Sequence, residues 1–224
     1  MFIDKSMTKD VITIRPDAGI LEAQTLMAQN RIRHLPVVDE DNTLLGIVTD
    51  RDIRSAMPSI LLSEAEKAAE EKKLCSLRVN NIMTRDPVTI SPTQTLEDAI
   101  MMMQAMKVGA FPVIDQDRKL KGIISVRDLM RAFVNVLGLE EPGALLGIVV
   151  EDKVGQMKRI VDAITEQGVS FGSILVARYW EEGKRAVFPY LLTSNISRVK
   201  KRLEELGFTL LNPMEWYLDQ LPRK

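Results

Sequence analysis

The sequence has one cysteine, Cys75, and one histidine, His34, among its 224 residues. A lone cysteine cannot form a disulfide within the chain, and zinc sites need several cysteine or histidine ligands. A thiol–imidazole nucleophile pair would need both residues, but Cys75 follows a charged stretch and no supporting motif surrounds it. We therefore expect no metal site and no catalytic residues.

The sequence also lacks excess charge and long apolar runs. Its formal net charge is -1, so no global field favours a nucleic-acid backbone. The apolar stretch at 143–150 has the length of a strand, well short of the roughly 20 residues of a membrane helix. Residues 1–5 lack the apolar core of a secretory signal. These absences predict a cytoplasmic protein with no nucleic-acid and no membrane partner.

What the sequence does have is an internal repeat. The segment LPVVD…GIVTDRD at 35–52 recurs as FPVID…GIISVRD at 111–128. The copies align without a gap from Met7/Met83 to Ala56/Ala132, an offset of 76 residues (83 − 7). A duplication of this length is a structural module. Matching pairs along the register include Thr13/Thr89, Ile14/Ile90, Pro16/Pro92, Ala23/Ala99 and Met27/Met103.

Each copy predicts the element order β-α-β-β-α. A short β-like run ends before Pro16 or Pro92, which cannot extend a paired strand. An amphipathic helix, two strands and a last helix follow, the last helix beginning near Asp50 or Val126. A unit of about 50 residues buries little surface alone, so we expect the copies to pack on each other. The predicted strands are 11–14, 35–38 and 44–48 in copy 1 (residues 1–60), and 88–90, 111–114 and 120–124 in copy 2 (residues 78–138).

The residues between and after the copies predict three further segments. Residues 61–77 contain a capping-box pattern and strong helix formers, which predict a charged helical linker or, alternatively, a mobile insertion. Residues 141–213 predict the order β-α-β-β-α-β, the split βαβ arrangement of ferredoxin-like folds. We expect the tail at 214–224 to be docked. The predicted fold class is α+β.

The residues that carry chemistry lie where the last strand of each copy meets its last helix. Thr49 and Asp52 stand three positions apart there, as do Ser125 and Asp128. One interpretation is a helix cap, because Thr or Ser suits the N-cap and an acid in the first turn favours the dipole. The other is a ligand site, in which helix-start amides bind phosphate and the carboxylate accepts two ribose hydroxyls. Taken alone, the pattern favours capping.

These doubled motifs resemble the paired module (Bateman module) of the cystathionine-β-synthase (CBS) domain family, over residues 5–135. The resemblance implies a regulatory module that binds AMP, ADP, ATP or S-adenosylmethionine in clefts between the motifs, and it favours binding in at least one site. It also implies that Thr or Ser meets phosphate, that Asp meets ribose and that the first β-like run borders adenine. Whether a site takes its adenine wall and its Asp from one copy stays open. The implied nucleotide-binding residues are Ile12, Thr13, Arg33, His34, Leu35, Pro36, Thr49, Asp52, Val88, Thr89, Ala110, Phe111, Pro112, Ser125 and Asp128.

The two copies differ just before their second strand. Copy 1 has Arg33 and His34 where copy 2 has Gly109 and Ala110. Basic residues at this place reach phosphates in members of the family, and a guanidinium suits a phosphate, whereas glycine and alanine offer only backbone. The alternative for Arg33 and His34 is a solvated strand edge.

Residues 141–213 resemble an ACT domain, a small regulatory fold that often binds amino acids at subunit interfaces. The resemblance rests on the element order and on the turn at 151–155, where Gly155 permits close ligand approach. It implies Asp152 and Gly155 as effector-binding residues; the alternative is an ordinary strand-to-helix turn. A CBS pair followed by an ACT-like domain is similar to the acetoin-utilisation protein B family.

We therefore expect a non-enzymatic regulator with an adenosine ligand, a second effector at the ACT-like domain and a regulated protein that the sequence does not identify. We also expect a homodimer, because exposed faces around the Met-rich helix at 101–106 and the ACT-like sheet need covering. The alternatives are a dimeric scaffold with degenerate sites and no nucleotide binding, and an enzyme. No nucleophile–base constellation in the sequence supports the enzyme.

Overall fold

The computed structural model describes residues 1–58, 74 and 76–212. The chain divides into two compact units, Met1–Met130 and Arg131–Lys224. Most of the predicted linker at 61–77, and all of the predicted tail at 214–224, lie outside the described residues. The predicted limits of the individual domains stay predictions.

The first unit contains copy 1 and copy 2 up to Met130, and the elements of the two copies correspond. Copy 1 consists of a 3-10 turn (Ile3–Lys5), α1 (Ile20–Asn30), β1 (His34–Val38), β2 (Leu44–Thr49) and α2 (Asp50–Ala56). Copy 2 consists of α3 (Val79–Ile82), β3 (Thr84–Arg85), α4 (Leu96–Met106), β4 (Ala110–Ile114), β5 (Leu120–Ser125) and α5 (Val126–Val136).

The long helix of each copy follows from its apolar spacing. Helix α1 buries Ile20, Ala23 and Met27, which lie on one face at helical spacing. Helix α4 buries the equivalent Leu96, Ala99 and Met103. Both helices end on a residue in the left-handed conformation, Arg31 or Lys107, and this turns the chain into the buried strand.

The predicted first strands, at 11–14 and 88–90, are corrected by the structure. Only Ile14 and Ile90 pair, each through a single parallel bridge to the buried strand of its own copy. Ile14 donates its N–H to the carbonyl of Pro36, and the next rung of the ladder would need an N–H at position 16. Pro16 has none, so the ladder stops after one bridge.

The structure shows an exchange between the copies that the sequence did not predict: the segment before the first helix of each copy pairs with a strand of the other copy. The segment that precedes the first helix of copy 2 forms β3 and pairs antiparallel with β2 of copy 1, with Ile47 opposite Thr84. Reciprocally, Thr8 of copy 1 pairs with Ile123 of β5, and the two residues exchange hydrogen bonds of 2.9 and 3.0 Å. The sheet of copy 1 therefore takes its edge strand from copy 2, and the two-stranded sheet of copy 2 receives a single bridge from copy 1.

The exchange makes the first unit an approximate two-fold assembly within one chain. Thr43 and Lys119, which are 76 positions apart, pair with each other. The Lys119 ammonium donates to Thr43 Oγ1 at 2.9 Å and to the carbonyl of Asp41 at 2.7 Å. A residue that pairs with its own repeat equivalent lies beside the two-fold axis of an isologous contact. The axis of the first unit thus passes near Thr43 and Lys119.

The apolar cores confirm that the copies pack on each other. The core of copy 1 includes Val79, a fully buried residue contributed by copy 2. A second cluster joins Val38 and Leu44 of copy 1 to Leu120 of copy 2. Burying one such side chain stabilises a fold by about 1.5–3 kcal/mol, so each copy depends on the other for part of its core.

The second unit has the predicted order β-α-β-β-α-β. The elements are β6 (Ala144–Leu145), β7 (Ile148–Glu151), α6 (Gln156–Thr165), β8 (Phe171–Glu181), β9 (Lys184–Leu191), α7 (Ser197–Glu205) and β10 (Thr209–Leu210). The first predicted strand of this unit is interrupted at residues 146–147, so that it becomes β6 and β7. The strands form an antiparallel sheet in the order β10-β7-β9-β8, with the short β6 also paired to β9.

Both helices of the second unit pack on one core with the sheet. Helix α6 contributes Ile160 and Ile164, and helix α7 contributes Val199 and Leu203. Within the described ranges, no helix is long and apolar enough to cross a membrane.

We predict that Gly122→Ala destabilises the first unit. A Cβ at Gly122 would lie 2.9 Å from the Thr8 carbonyl oxygen and 2.5 Å from Met7 Sδ, so the exchanged segment would have to move. Overpacking of this kind costs about 1–3 kcal/mol. Urea denaturation measures the change. Thr84→Ala serves as the control, because it removes only an exposed side chain from an exchanged segment. An unchanged midpoint in Gly122→Ala would contradict the close approach.

Candidate functional site

The first candidate site is the junction of β2 and α2. The Thr49 hydroxyl donates to Asp52 Oδ2 at 2.7 Å, and the Thr49 N–H donates to the same oxygen at 2.8 Å. The Asp52 N–H donates back to Thr49 Oγ1 at 3.3 Å. This is a capping box, so the capping interpretation is confirmed for this helix.

The equivalent junction of β5 and α5 repeats the geometry. The Ser125 hydroxyl and N–H donate to Asp128 Oδ2 at 2.6 and 2.9 Å, and the Asp128 N–H donates to Ser125 Oγ at 3.3 Å. A third box of the same kind, Thr95 with Asp98, begins α4, where the hydroxyl reaches Asp98 Oδ2 at 2.8 Å. The box by itself therefore does not mark a ligand site.

The two junction carboxylates differ in their second oxygen. Asp128 is 6% exposed, and its Oδ1 accepts a hydrogen bond of 3.3 Å from the hydroxyl of Thr8. Asp52 is half-buried, and within the described residues no hydrogen bond reaches its Oδ1. Capping uses one oxygen of each carboxylate, so the Asp52 Oδ1 is available to a further donor.

Arg33 and His34 lie beside the first junction. His34 stands opposite Thr49 in the β1–β2 ladder, and the carbonyl of Arg33 accepts the Asp50 N–H at 3.1 Å. The His34 ring also reaches copy 2, since a Cβ at Gly109 would lie 3.3 Å from His34 Nε2. The structure therefore places the backbone of both residues beside the start of α2, with the Arg33 side chain exposed.

Burial lowers the pKa of His34 below its ordinary value. Asp50 acts in the opposite direction, Arg33 adds to the lowering, and Asp52 again raises the pKa. Because burial dominates, the imidazole is predominantly neutral at pH 7. An anion bound at the start of α2 would favour the charged form of the ring.

The predicted residues of the buried strands are core residues. Leu35 and Phe111 are fully buried. Pro36 and Pro112 are buried as well, and their carbonyls accept the N–H groups of Ile14 and Ile90. Ala110 is buried opposite Ser125. These positions fix the strand beside each junction.

The predicted adenine-wall residues follow the exchanged segments along the chain. Ile12 packs against the core of copy 1, and Thr13 is half-buried. Val88 is exposed, and Thr89 is half-buried. The segment that carries Ile12 and Thr13 starts at Thr8, beside Asp128. In copy 1, the chain therefore runs from a contact with Asp128 of copy 2 to the wall residues Ile12 and Thr13.

The predicted effector turn of the second unit holds an ion pair. Asp152 pairs with Arg185 of β9, and Gly155 is the N-cap of α6 with a φ of 94°. A cleft of about 670 Å³ lies next to this turn, and apart from Glu151 its lining residues lie outside the turn. Its lining residues include Glu151, Gln156, Arg159, Glu181, Lys184 and Phe208.

Arg159 of that cleft contacts both Phe208 and the end of α7. Its guanidinium lies 4.7 Å from the ring centre of Phe208 and donates to the carbonyl of Leu206 at 2.8 Å. No group of three or more possible metal ligands occurs in the part of the chain that the structure describes.

Comparison with known proteins identifies the repeat. The family model of the CBS domain matches residues 3–59 and again residues 79–135, which together make up just over half of the sequence. The chain belongs to the CBS-domain family. The matched ranges correspond to copy 1 and copy 2, so the first unit is a CBS pair.

Curated relatives share the CBS pair. A CBS domain-containing protein of Dictyostelium discoideum is 36% identical over 137 residues, which cover 61% of this chain and 94% of that protein. An inosine-5'-monophosphate dehydrogenase of Methanocaldococcus jannaschii is 35% identical over 128 residues, 57% of this chain. The chain spans only 23% of that dehydrogenase.

Solved structures share the fold of the pair. The CBS-pair protein CBSX2 of Arabidopsis thaliana, solved in complex with AMP, is 27% identical with a TM-score of 0.50, over 59% of this chain and 96% of that chain. An acetoin utilization protein of Vibrio cholerae is 28% identical with a TM-score of 0.53, over 63% of this chain and 98% of that chain.

We predict that the single histidine titrates below its ordinary pKa of about 6.5. Because burial lowers the pKa of His34, the unfolded chain binds this proton more readily than the folded chain. The stability contributed by neutral His34 is therefore present above about pH 6.5 and is lost as the pH falls through the lower folded pKa. An NMR titration of the one imidazole gives the midpoint, and His34→Gln should remove this part of the pH dependence. A midpoint at or above 6.5 would contradict the burial argument.

Proposed function

We propose that the CBS pair is a sensor that binds an adenosine-containing ligand (AMP, ADP, ATP or S-adenosylmethionine) and regulates a partner protein without catalysing a reaction. The supporting observation is the doubled strand-to-helix junction, where a hydroxyl, a carboxylate and a helix start converge. The likeness to a CBS pair solved with AMP also supports it. A ligand with unequal affinity for two arrangements of the pair shifts their populations, and with them the activity of the partner.

The proposed roles follow from what each group can donate or accept. Asp52 and Asp128 accept ribose hydroxyls through the oxygen that the capping box does not need. The hydroxyls of Thr49 and Ser125 and the helix-start amides bind phosphate. In copy 1, Arg33 adds a guanidinium suited to the same phosphate.

Enzymatic activity is not part of the proposal. Relatives with enzyme names match this chain over a minor part of their own length, 23% for the dehydrogenase. The enzymatic activities of those relatives are therefore not proposed for this chain.

The second unit would bind a second effector. We assign this role to the turn at Asp152 and Gly155 and to the adjoining cleft, where Arg159 and Lys184 supply positive charge and Glu151 and Glu181 negative charge. This mixture of charges suits a small zwitterionic effector.

A scaffold function is the second candidate, favoured by an asymmetry between the copies. Four exposed side chains of copy 2 are apolar at positions where copy 1 has polar residues. An apolar surface of this kind is typical of a protein–protein contact, and a second copy of this chain is the proposed partner. The pairs are Met101 and Thr25, Met106 and Asn30, Val126 and Asp50, and Met130 and Arg54.

We predict that the chain is a homodimer and that Met101→Lys weakens it. Met101 is 71% exposed in the single chain. A lysine ammonium buried there without a partner should raise the dimer dissociation constant at least tenfold, about 1.4 kcal/mol. Thr25→Lys at the equivalent position of copy 1 is the matched control and should leave the dimer unchanged. Sedimentation velocity at micromolar concentration measures both variants; a wild-type chain that sediments only at 25.2 kDa would contradict the dimer.

We predict that AMP, ADP, ATP or S-adenosylmethionine stabilises the protein and that Asp52→Ala removes most of the effect. At a hundredfold excess over the dissociation constant, linkage gives about 2.7 kcal/mol, which a thermal-shift measurement detects. A lost hydrogen bond to a charged acceptor is worth about 1.5–3 kcal/mol, so affinity should fall at least tenfold. For the same reason, 2′-deoxy-AMP should bind less tightly than AMP.

The matched control is Asp98→Ala, which removes the carboxylate of the third capping box. It should cost only the stabilisation that an acid gives to the first turn of a helix, about 0.3–1 kcal/mol, and leave affinity unchanged. Arg33→Ala should weaken ATP more than adenosine, because it acts on phosphate. If no adenosine compound shifts the melting temperature at millimolar concentration, the sensor is contradicted and the scaffold is favoured.

A further inference from the structure

The two junctions of the CBS pair have the same capping chemistry but different surroundings. Both boxes hold one carboxylate oxygen in place with hydrogen bonds of 2.6–2.9 Å. The junctions differ in what contacts the other carboxylate oxygen and in the charged residues beside the helix start.

At the second junction, the oxygen that a ribose would use is already occupied. Thr8 donates its hydroxyl to Asp128 Oδ1, and Asp128 is buried. Thr8 is fixed there because its backbone exchanges two hydrogen bonds with Ile123. A ribose must displace this hydroxyl before it can bind. The 3.3 Å separation is long for a hydroxyl–carboxylate bond, so the contact is weak and hinders binding without blocking it.

At the first junction, the equivalent contact is absent. Thr84 occupies the repeat position of Thr8 and pairs with Ile47 in the same register. Within the described residues, its hydroxyl makes no hydrogen bond to Asp52. The same residue type therefore obstructs one junction and leaves the other open.

The local charges point the same way. The start of α2 has Arg33 beside it, whereas the start of α5 has Gly109 at the equivalent position. The His34 ring lies against Gly109, so the imidazole does not distinguish the two junctions. A phosphate bound at α2 can gain the Arg33 guanidinium, and at α5 the equivalent Gly109 gives it backbone alone.

We infer that the two nucleotide sites fill in a fixed order, the Asp52 site first and the Asp128 site at least tenfold more weakly, with Thr8 acting as a latch on the second site. This inference rests on the proposed function. It adds a regulatory property: the pair responds at two separate concentrations of one ligand, and the second response requires the exchanged segment to release Asp128.

Calorimetric titration of the full chain with AMP tests the order. The wild type should show a tight step and a second step at least tenfold weaker. Asp52→Asn should remove the tight step, whereas Asp128→Asn should remove the weak step and keep the tight one. Asparagine retains an acceptor for the capping box, and circular dichroism checks that each variant is folded. Asp98→Asn is the matched control and should keep both steps.

Thr8→Val tests the latch directly. Valine keeps the β-branched shape and the backbone pairing but cannot donate to Asp128, so the weak step should tighten severalfold towards the tight one. Thr84→Val, at the repeat position, should change neither step. The second step can be too weak to detect in the wild type, which then shows one step. In that case the order is supported if Asp52→Asn abolishes this step and Thr8→Val adds a second one.

Four results would overturn the inference. Two equal steps in the wild type, or loss of the tight step in Asp128→Asn, would reject the order while leaving the proposed sensor intact. A weak step that does not respond to Thr8→Val would reject the latch. No AMP binding in any variant would reject the sensor itself, and the inference with it.

Discussion

Thr8 and Ile123 exchange both of their backbone hydrogen bonds across the two copies, and Ile47 pairs with Thr84 in the same register. The sheet of copy 1 takes its edge strand from copy 2, and the sheet of copy 2 receives a bridge from copy 1. The glycines opposite the exchanged segments, Gly46 and Gly122, have no room for a side chain. The cores are shared in the same way. The two copies of the first unit therefore share their sheets and cores and are related by approximate two-fold symmetry.

The exchanged segments also make the two candidate sites different from each other. Capping and ribose binding are often treated as alternative roles for an acid at a helix start, but a carboxylate has two oxygens. In both junctions one oxygen caps the helix, and the role of the other depends on the leading segment of the opposite copy. A symmetric duplication can thus produce two unequal sites without losing either capping box, and the unequal charges of Arg33 and Gly109 increase the difference.

Much of this arrangement could be predicted from the sequence, and the limits have physical causes. The repeat, the amphipathic faces of α1 and α4 and the buried strands follow from local periodicity, which the structure confirms. The predicted strands at 11–14 and 88–90 were wrong because strand formation depends on a partner, and Pro16 ends the ladder after one bridge. The exchange was missed because the two residues of β3 have no periodicity to detect. Likewise, the bond between Thr8 and Asp128 joins residues 120 positions apart, which no local pattern indicates.

The central claim, that the two copies form one cooperative body through the exchanged segments, is tested most directly by native-state hydrogen exchange. The amides of Thr8 and Ile123 should exchange only with global unfolding, with the same opening free energy as the buried amides of β1 and β4. If the amides of one copy open at a distinctly lower free energy while those of the other copy stay protected, the copies are independent domains. That result would contradict the account.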